Sequence, residues 1–457
     1  MEKEDKIDES PFKSKKKMIT SSGKNICIIV KKTLSNNCSV LEVNSSNCRA
    51  YCNIMKYPQV LMRIVGLFHK KSDKWFLKVY PLLIFIILWL SFARLFSLFE
   101  FWYGVSESLS AQLAYKIILI LWCFVTVASA TIFFINQEKH SRENQLIHEL
   151  SFYLDKYSNK KIKILKKKIL MYFFIGVFGS VFNSISGIIS LFGPDYFYEA
   201  FSSLLAPFHK STWSRSNVPY KILNNIILSF TSFIWMITIC YYLAHCEMIV
   251  FIFKNFNQEF RDLVNNKMLV SNKQMNVQEN QYELEDKFDE LRKKHLKICK
   301  IIQQMNKCYQ EFLGITLLIN ITLMLMIFYI MTDWNGNCIQ GIMAILYPFW
   351  SLSGIIIILL ILVFGTRIQE QCSNILEDLL EVNLAEFTNS LCFKINLMIN
   401  KLTQGVPCLT VFGIININKE FILTVFGTLI SYFIVVHELK SPNQTPLCQL
   451  NSNSTLA

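Results

Sequence analysis

Residues 343–365 read MAILYPFWSLSGIIIILLILVFG, a run of 23 residues without a charged side chain. A helix needs about 20 consecutive apolar residues to cross the hydrocarbon core of a bilayer, so this run is long enough to span a membrane. Six further runs reach a comparable length, and they occupy residues 79–99, 115–136, 169–193, 222–253, 312–331 and 421–439. The pattern predicts an all-α membrane protein with seven transmembrane helices.

The composition of the 457-residue chain agrees with a membrane protein, since 52% of the residues are hydrophobic and only 17% are charged.

An eighth apolar segment, residues 391–411, carries Lys394, Lys401 and Gln404. Because a spanning helix tolerates such residues poorly, this segment is predicted to form an amphipathic helix in the cytosol or at the membrane surface. The 14 cysteines are scattered along the chain, so disulfides are not predicted to organise the fold.

Lysine and arginine lie almost entirely on one side of the predicted spans. The segments 1–78, 137–168, 254–311 and 366–420 hold 40 of these residues, whereas the segments at the opposite helix ends hold four. We call the side with 40 the basic side. Because basic segments remain in the cytosol, the amino terminus is predicted to be cytosolic and the carboxyl terminus extracellular. The net charge of +13 then reflects topology, and no nucleic-acid partner is needed to explain it.

This topology divides the chain into segments. They are a cytosolic, largely disordered tail (1–77), four spans (78–253) with a basic loop (137–168), a cytosolic helical anchor (254–311), the fifth and sixth spans (312–365), cytosolic helices (366–418), the last span (419–440) and an extracellular tail (441–457). The anchor is predicted to carry an apolar stripe, with His295 in register, at Leu284, Phe288, Leu291, Ile298 and Ile302. This stripe favours packing against segment 366–406 over a single solvated helix.

Motifs for catalysis are absent from the sequence, which has no Gly-x-Ser-x-Gly, His-Glu-x-x-His or Walker loop. We therefore predict no enzyme activity and no cofactor.

Cys48 and Cys52, with Cys38, lack a second ligand pair at zinc-finger spacing, so reduced thiols are predicted there and no metal site. A pairing of Cys338 with Cys448 outside the membrane stays open.

The last span carries hydroxyl and acidic residues at helical spacing. Offsets of 4, 3, 4 and 3 place them on one stripe, which consists of Thr424, Thr428, Ser431, Val435 and Glu438. If several copies of the chain assemble with this stripe inward, it would line a water-filled cation path with a ring of carboxylates at the outer mouth. The alternative is that the small residues of this span, Gly427 among them, only permit close helix packing within one chain.

The end of this span, SYFIVVHEL at residues 431–439, resembles the signature of insect gustatory receptors, which is Thr-Tyr, five mostly apolar residues, then Gln-Phe. Tyr432 is identical to the signature, whereas Ser431, Glu438 and Leu439 replace Thr, Gln and Phe. The resemblance implies a tetrameric, ligand-gated, non-selective cation channel whose last helix lines the pore. It also implies that Val435 and Leu439 form the hydrophobic gate, with Glu438 beside them.

The same resemblance implies a ligand pocket among the outer halves of the first six spans. Polar and aromatic candidates there are Asn183, Ser186, Asn225, Ser229, Tyr329, Tyr347, Trp350 and Ser351. Such residues suit a small tastant, either a sugar or a bitter compound, although they equally suit hydrogen bonds between helices. Arg94, in the first span, either pairs within the protein or reaches water at the membrane face.

The implied partners are the tastant, permeating cations, the lipid bilayer and further subunits, as a homotetramer or a heterotetramer with related receptors. The implied location is the plasma membrane of sensory neurons. Two alternatives are a metabotropic seven-span receptor and a modulatory subunit that needs a partner to conduct. The first is disfavoured because the basic loops follow even-numbered spans. A transporter is also disfavoured, since no matched pair of interrupted spans is present.

Overall fold

A computed structural model describes residues 49–68, 75–98, 111–138, 142–192, 205, 216–264, 277–332, 343–382 and 387–440. Its helices are α1 (Arg49–Ile64), α2 (Trp75–Leu95), α3 (Ala111–Glu138), α4 (Arg142–Leu154), α5 (Asn159–Phe192), α6 (Val218–Leu263), α7 (Val277–Thr332), α8 (Met343–Ser373), α9 (Ile375–Leu380), α10 (Asn389–Thr403) and α11 (Lys419–Lys440). Seven segments are long and apolar enough to cross a membrane, and they lie in α2, α3, α5, α6, α7, α8 with α9, and α11. The predicted fold class is therefore confirmed.

Two helices are much longer than a bilayer requires, since α6 has 46 residues and α7 has 56. About 20 residues span the hydrocarbon core, so both helices extend well beyond it. The extension of α7 carries the predicted anchor stripe, and all apolar residues of this stripe are buried together with His295. The extension and the fifth span are therefore one continuous helix.

Helix α7 lies at the centre of the described structure. It contacts α3, α4, α6, α8, α10, α11 and the first strand of a short hairpin. Next to it, α5 packs along α6, where a Cβ atom added at Gly176 would lie 2.6 Å from Cys240 Sγ. The absence of a side chain at Gly176 thus lets these two helices approach closely. Most of the buried hydrophobic residues belong to one continuous core.

Two sequence predictions need correction. Residues 49–64 were predicted to lie in a disordered tail, but they form α1, which packs on α4, α5 and α6. Its buried face includes Tyr51, Ile54 and Met55, so burial of that face against the core stabilises the helix. The amphipathic helix predicted for 391–411 ends at Thr403, because Gly405 has a φ of 150° and Pro407 follows.

A short hairpin connects α10 to α11. Its strands are β1 (Thr410–Val411) and β2 (Ile415–Asn416), and Phe412 and Gly413 turn the chain at positive φ. The backbone N–H of Thr410 donates to Asn306 Oδ1 at 2.9 Å, and that of Phe412 donates to the Gln310 carbonyl at 3.1 Å. The Phe412 ring lies where a side chain at Gly314 would be, 2.5 Å from an added Cβ atom. The hairpin is therefore docked along one stripe of α7.

Helix α10 packs on the extension of α7 with its face Leu391, Ile395, Met398 and Leu402 buried. Lys394, on the same helix, lies 2.6 Å from Glu285 Oε1 and 3.1 Å from Asp289 Oδ2. The two carboxylates favour the charged ammonium group and raise the pKa of Lys394, the hydrogen bond to Glu285 contributing most. Arg261 of α6 also pairs with Asp378 of α9, Nε to Oδ2 at 3.0 Å.

A buried hydrogen-bond network joins four helices on the basic side. Nδ1 of His245 lies 2.9 Å from the carbonyl oxygen of Tyr241, an acceptor, so this nitrogen carries the proton. Nε2 of the neutral ring then accepts from the Tyr51 hydroxyl at 3.1 Å, and the Tyr309 hydroxyl lies 3.2 Å from Nδ1. The Tyr241 hydroxyl donates to Glu143 Oε1 at 2.9 Å. The network thus links α1, α4, α6 and α7.

Burial raises the pKa of the Glu143 carboxyl, and the hydrogen bond from Tyr241 offsets this only partly. Because the pKa of Glu143 is raised in the folded state, its contribution to the free energy of unfolding is greatest below the ordinary pKa near 4.5. That contribution is lost as the pH rises through the folded-state pKa. We therefore expect Glu143→Gln, which keeps an oxygen for Tyr241, to raise the apparent Tm at pH 7 more than at pH 4.5. Thermal unfolding of the detergent-solubilised chain measures this difference.

Glu149→Gln, on the same helix α4, is the matched control, and its Tm should follow that of the parent at both pH values. A lower Tm for Glu143→Gln at pH 7, or an equal change at the two pH values, would contradict the assigned cost of burying the Glu143 carboxylate.

Candidate functional site

A small cavity of about 30 Å³ lies among α2, α3, α5 and α6, in the half of the spans away from the basic side. Its lining combines apolar and polar side chains, namely Ser91, Arg94, Leu95, Leu119, Trp122, Cys123, Leu191, Asn224, Ile227, Leu228 and Thr231. This volume holds about two water molecules. A larger ligand must therefore displace side chains when it enters.

Arg94 is the charged residue of this lining. Its guanidinium donates from Nη1 to Oδ1 of Asn224, which is buried on α6. Asn224 is held in place in turn, because its Nδ2 donates to the Tyr220 carbonyl at 2.8 Å. Of the two possibilities left open for Arg94 by the sequence, pairing within the protein is the one observed. The Arg94 guanidinium and the Trp122 indole give the cavity both a polar and an aromatic wall.

The predicted ligand residues of α5 and α6 mostly form hydrogen bonds within this pair of helices. Asn183 Nδ2 donates to Ser232 Oγ at 3.1 Å, and the Ser186 hydroxyl donates to the Phe182 carbonyl at 3.0 Å. The Ser229 hydroxyl donates to the carbonyl of Asn225 at 2.8 Å. The Asn183–Ser232 bond is of the interhelical kind that the sequence left open as an alternative, whereas the two serine bonds lie within one helix.

Asn225 differs from its neighbours, since its buried Oδ1 has no hydrogen-bond partner among the described residues. Tyr347 and Ser351 are buried on α8, and the Tyr347 ring packs edge-on against Trp350 at 5.9 Å. Tyr329 is half-buried on α7. Within the described residues, none of the eight predicted ligand residues lines the cavity, and their ligand role stays a prediction.

Sequence reasoning missed most of the cavity lining, including Ser91, Trp122 and Asn224. These side chains come from different helices, and no local pattern brings them together. The available signal was Arg94, because a charge inside a spanning helix indicates a buried partner. A search for polar residues on the other spans at the depth of Arg94 would have found Asn224.

Helix α11 has the least buried of the seven spanning segments, with 17% of its apolar window buried. One face packs against α7 and α8 through Val425, Leu429 and Val436. The predicted polar stripe lies beside this face and is exposed at each of its positions, Thr424, Thr428, Ser431, Val435 and Glu438. A further exposed face is apolar and includes Leu423, Ile430 and Ile434.

Hydroxyl groups on the polar stripe bond to their own helix. The Thr424 hydroxyl donates to the Glu420 carbonyl at 2.9 Å, and the Thr428 hydroxyl donates to the Thr424 carbonyl at 2.8 Å. The hydroxyl oxygens keep their capacity to accept hydrogen bonds from water. Tyr432, the signature residue, is half-buried, and its neighbour Phe433 packs edge-on against Phe328 of α7 with ring centroids 5.4 Å apart. The side chain of Leu439 lies outside the described part of the structure.

Seven helices that are long and apolar enough to cross a membrane, four of which line a small cavity, define a multi-pass membrane protein. The model of the 7tm chemosensory receptor family matches residues 60–437, and the chain belongs to this family. The resemblance seen in the sequence is thereby confirmed at the level of chemosensory receptors. No curated protein sequence matches the chain.

Solved structures of an insect olfactory receptor share the fold. The structure of OR5 from Machilis hrabei in complex with eugenol superposes with a TM-score of 0.61 at 15% identity, covering 86% of this chain and 98% of that one. A second structure of this receptor gives a TM-score of 0.58 at 14% identity, covering 86% and 100%. At these identities the likeness shows the fold alone.

The neighbouring residues Asn224 and Asn225 give opposite predictions. We expect Asn224→Leu to cost about 1–3 kcal/mol, because it removes an acceptor from the Arg94 guanidinium in a buried place. Asn225→Leu removes a buried oxygen without a hydrogen-bond partner, so we expect it to be neutral or stabilising. Apparent Tm values of the two variants, measured side by side in the same detergent, test the assignment. Equal losses of stability would contradict it.

Proposed function

We propose that this chain is a gustatory receptor subunit that acts as a ligand-gated, non-selective cation channel. Membership of the chemosensory receptor family supports the sensory role, and the signature-like residues 431–439 favour a gustatory over an olfactory receptor. The proposed location is the plasma membrane of sensory neurons. The distribution of 40 basic residues to four supports a cytosolic amino terminus and an extracellular carboxyl terminus. No enzyme activity is part of the proposal.

The exposed polar stripe of α11 carries the channel proposal. Hydroxyl and carboxylate groups that face lipid find no hydrogen-bond partners there, whereas the same groups facing a water-filled path can bind water and cations. In a single chain, the stripe lies beside the face that packs on α7 and α8 and is left open. Four copies of α11 around an axis would bring the stripes together. Val435 and Leu439 would then form the gate, with a ring of Glu438 carboxylates at the outer mouth.

The remaining exposed face of α11, formed by Leu423, Ile430 and Ile434, supports the assembly. In a tetramer this apolar face would pack against a neighbouring subunit or meet lipid, and either environment suits it. The extensions of α6 and α7 on the basic side would supply further contacts between subunits. Homotetramers and heterotetramers with related receptors are both compatible with these surfaces.

The proposed ligand is a small tastant, a sugar or a bitter compound, that binds from the extracellular side. The OR5 receptor is solved in complex with eugenol, a small molecule, and this supports a small-molecule ligand here. The cavity lined by Arg94 and Trp122 is the proposed place of binding, and Asn183, Asn225 and Tyr347 are proposed as further ligand residues. Phe328 offers a route to the pore helix, because its ring packs edge-on against Phe433 of α11 with centroids 5.4 Å apart.

A modulatory subunit is the second candidate function. The observation that favours it is the departure from the gustatory signature at Glu438 and Leu439, two positions that would lie in the pore. Such a subunit would conduct poorly alone and would need a partner receptor.

Whole-cell recording from cells that express this chain alone tests the proposal. G-protein signalling is blocked, and sugars and bitter compounds are applied from outside. An evoked cation current supports the channel. If current requires an intact G-protein pathway, the metabotropic alternative replaces it. If current arises only when a related receptor is co-expressed, the modulatory subunit is supported.

We expect Glu438→Gln to lower the permeability to calcium relative to sodium by roughly twofold or more, because it removes one carboxylate per subunit from the proposed outer mouth. Reversal potentials in calcium and in sodium solutions measure this ratio. Glu290→Gln is the control, since Glu290 is exposed on the extension of α7 far along the chain from the proposed pore. Unchanged reversal potentials for Glu438→Gln in both solutions would refute the carboxylate ring.

A further inference from the structure

Three side chains that bind metals in proteins meet between α7 and α8. His295 and Cys299 are one turn apart on α7, and Cys372 lies near the end of α8. The two sulfur atoms are 3.7 Å apart, and His295 Nε2 lies 3.7 Å from Cys299 Sγ and 3.8 Å from Cys372 Sγ. They form a nearly equilateral triangle of one nitrogen and two sulfur atoms.

The triangle matches the face of a tetrahedral zinc site. Zinc binds thiolate sulfur at about 2.3 Å and histidine nitrogen at about 2.0 Å, so the ligand atoms of a tetrahedral site lie about 3.5–3.8 Å from one another. The three observed distances lie in or at the edge of this range. A zinc ion would therefore need only a small movement of the side chains to reach bonding distance from all three.

The surroundings of the three ligands are apolar. His295 is 5% exposed, Cys299 is 7% exposed and Cys372 is fully buried. The rings of Phe253 and Phe256 pack against the imidazole with centroid distances of 6.2 and 5.7 Å. The hydrogen-bond contacts of the three side chains among the described residues are with one another, and contacts to sulfur are weak. A buried histidine held only by sulfur contacts is better satisfied by a metal ion.

We propose that His295, Cys299 and Cys372 bind a zinc ion. Two thiolates and a neutral imidazole balance the two positive charges of Zn²⁺, so the loaded site carries no net charge into the apolar surroundings. The fourth ligand is then a neutral water molecule.

The position of this site gives it a structural consequence. It joins the extension of α7 to the end of α8. Zinc would therefore hold the end of α8 against the extension of α7, about two turns before the hairpin contacts at Asn306 and Gln310. The sequence predicted no metal here because Cys299 and Cys372 are 73 residues apart and follow no zinc-finger spacing.

Metal analysis of the full-length chain, purified in lipid nanodiscs without chelators, tests the proposal. We expect about one zinc per chain, and below about 0.2 in Cys372→Ser and in His295→Gln. Cys392→Ser is the matched control, because it removes a thiol from α10 outside the site and should keep the zinc. Zinc content that is near zero in the parent chain, or equal in the parent and Cys372→Ser, overturns the proposal.

Cobalt provides a second readout that does not depend on the folding of a variant. The parent chain, stripped of zinc and loaded with Co²⁺, should show thiolate-to-cobalt charge-transfer absorption and the visible bands of tetrahedral cobalt. The absence of these bands overturns the proposal. A Cys299–Cys372 disulfide found by non-reducing peptide mass analysis of freshly purified chain also overturns it, because disulfide sulfurs cannot act as the thiolate ligands.

Chelation gives the third measurement. Because bound metal stabilises the folded state, a chelator should lower the apparent Tm of the parent chain and leave that of Cys372→Ser unchanged. Equal shifts in the two chains would overturn the proposal. All three measurements use the chain without a tastant, so they stand whether or not the chain conducts ions.

Discussion

Polar groups buried in a protein core or inside a bilayer have no water to bond with, and this constraint governs the arrangement of the helices. It explains why His245 is surrounded by Tyr51, Tyr241 and Tyr309 on three helices, and why the Arg94 guanidinium points at an amide on α6. It also explains why hydroxyl groups in the spans donate so often to a carbonyl one turn back. The helix that departs from this arrangement is α11, whose polar stripe lies open on the surface of the single chain.

The sequence predicted the spanning helices because their signal is local. An apolar run of sufficient length is a property of consecutive residues, and the same holds for the apolar stripe around His295 in the extension of α7. Long helices follow as well, since no glycine or proline interrupts the chain between that stripe and residue 312. The stripe of α11 was equally readable, because helical spacing alone places Thr424, Thr428 and Ser431 on one side.

What the sequence did not predict depends on contacts between distant residues. Helix α1 was missed because its surroundings are rich in Lys, Ser and Asn, and its buried face becomes evident only against α4, α5 and α6. The hairpin was missed because its fit depends on a glycine in α7, almost 100 residues earlier. The cavity and the triad of His295, Cys299 and Cys372 each combine side chains from separate helices. No spacing rule within one segment can find such a group.

The continuity of α7 has a mechanical consequence. At 1.5 Å per residue its 56 residues extend about 84 Å, more than twice the thickness of a bilayer core. Tyr329 lies near one end, the hairpin contacts the middle of the helix at Asn306 and Gln310, and the triad lies beyond the middle on the other side. A rigid rod of this length acts as a lever, so a tilt of about 5° around its midpoint moves each end by about 4 Å. A tilt of α7 that is too small to open a cavity for a ligand can therefore shift side chains on the far side of the membrane by about the width of an atom.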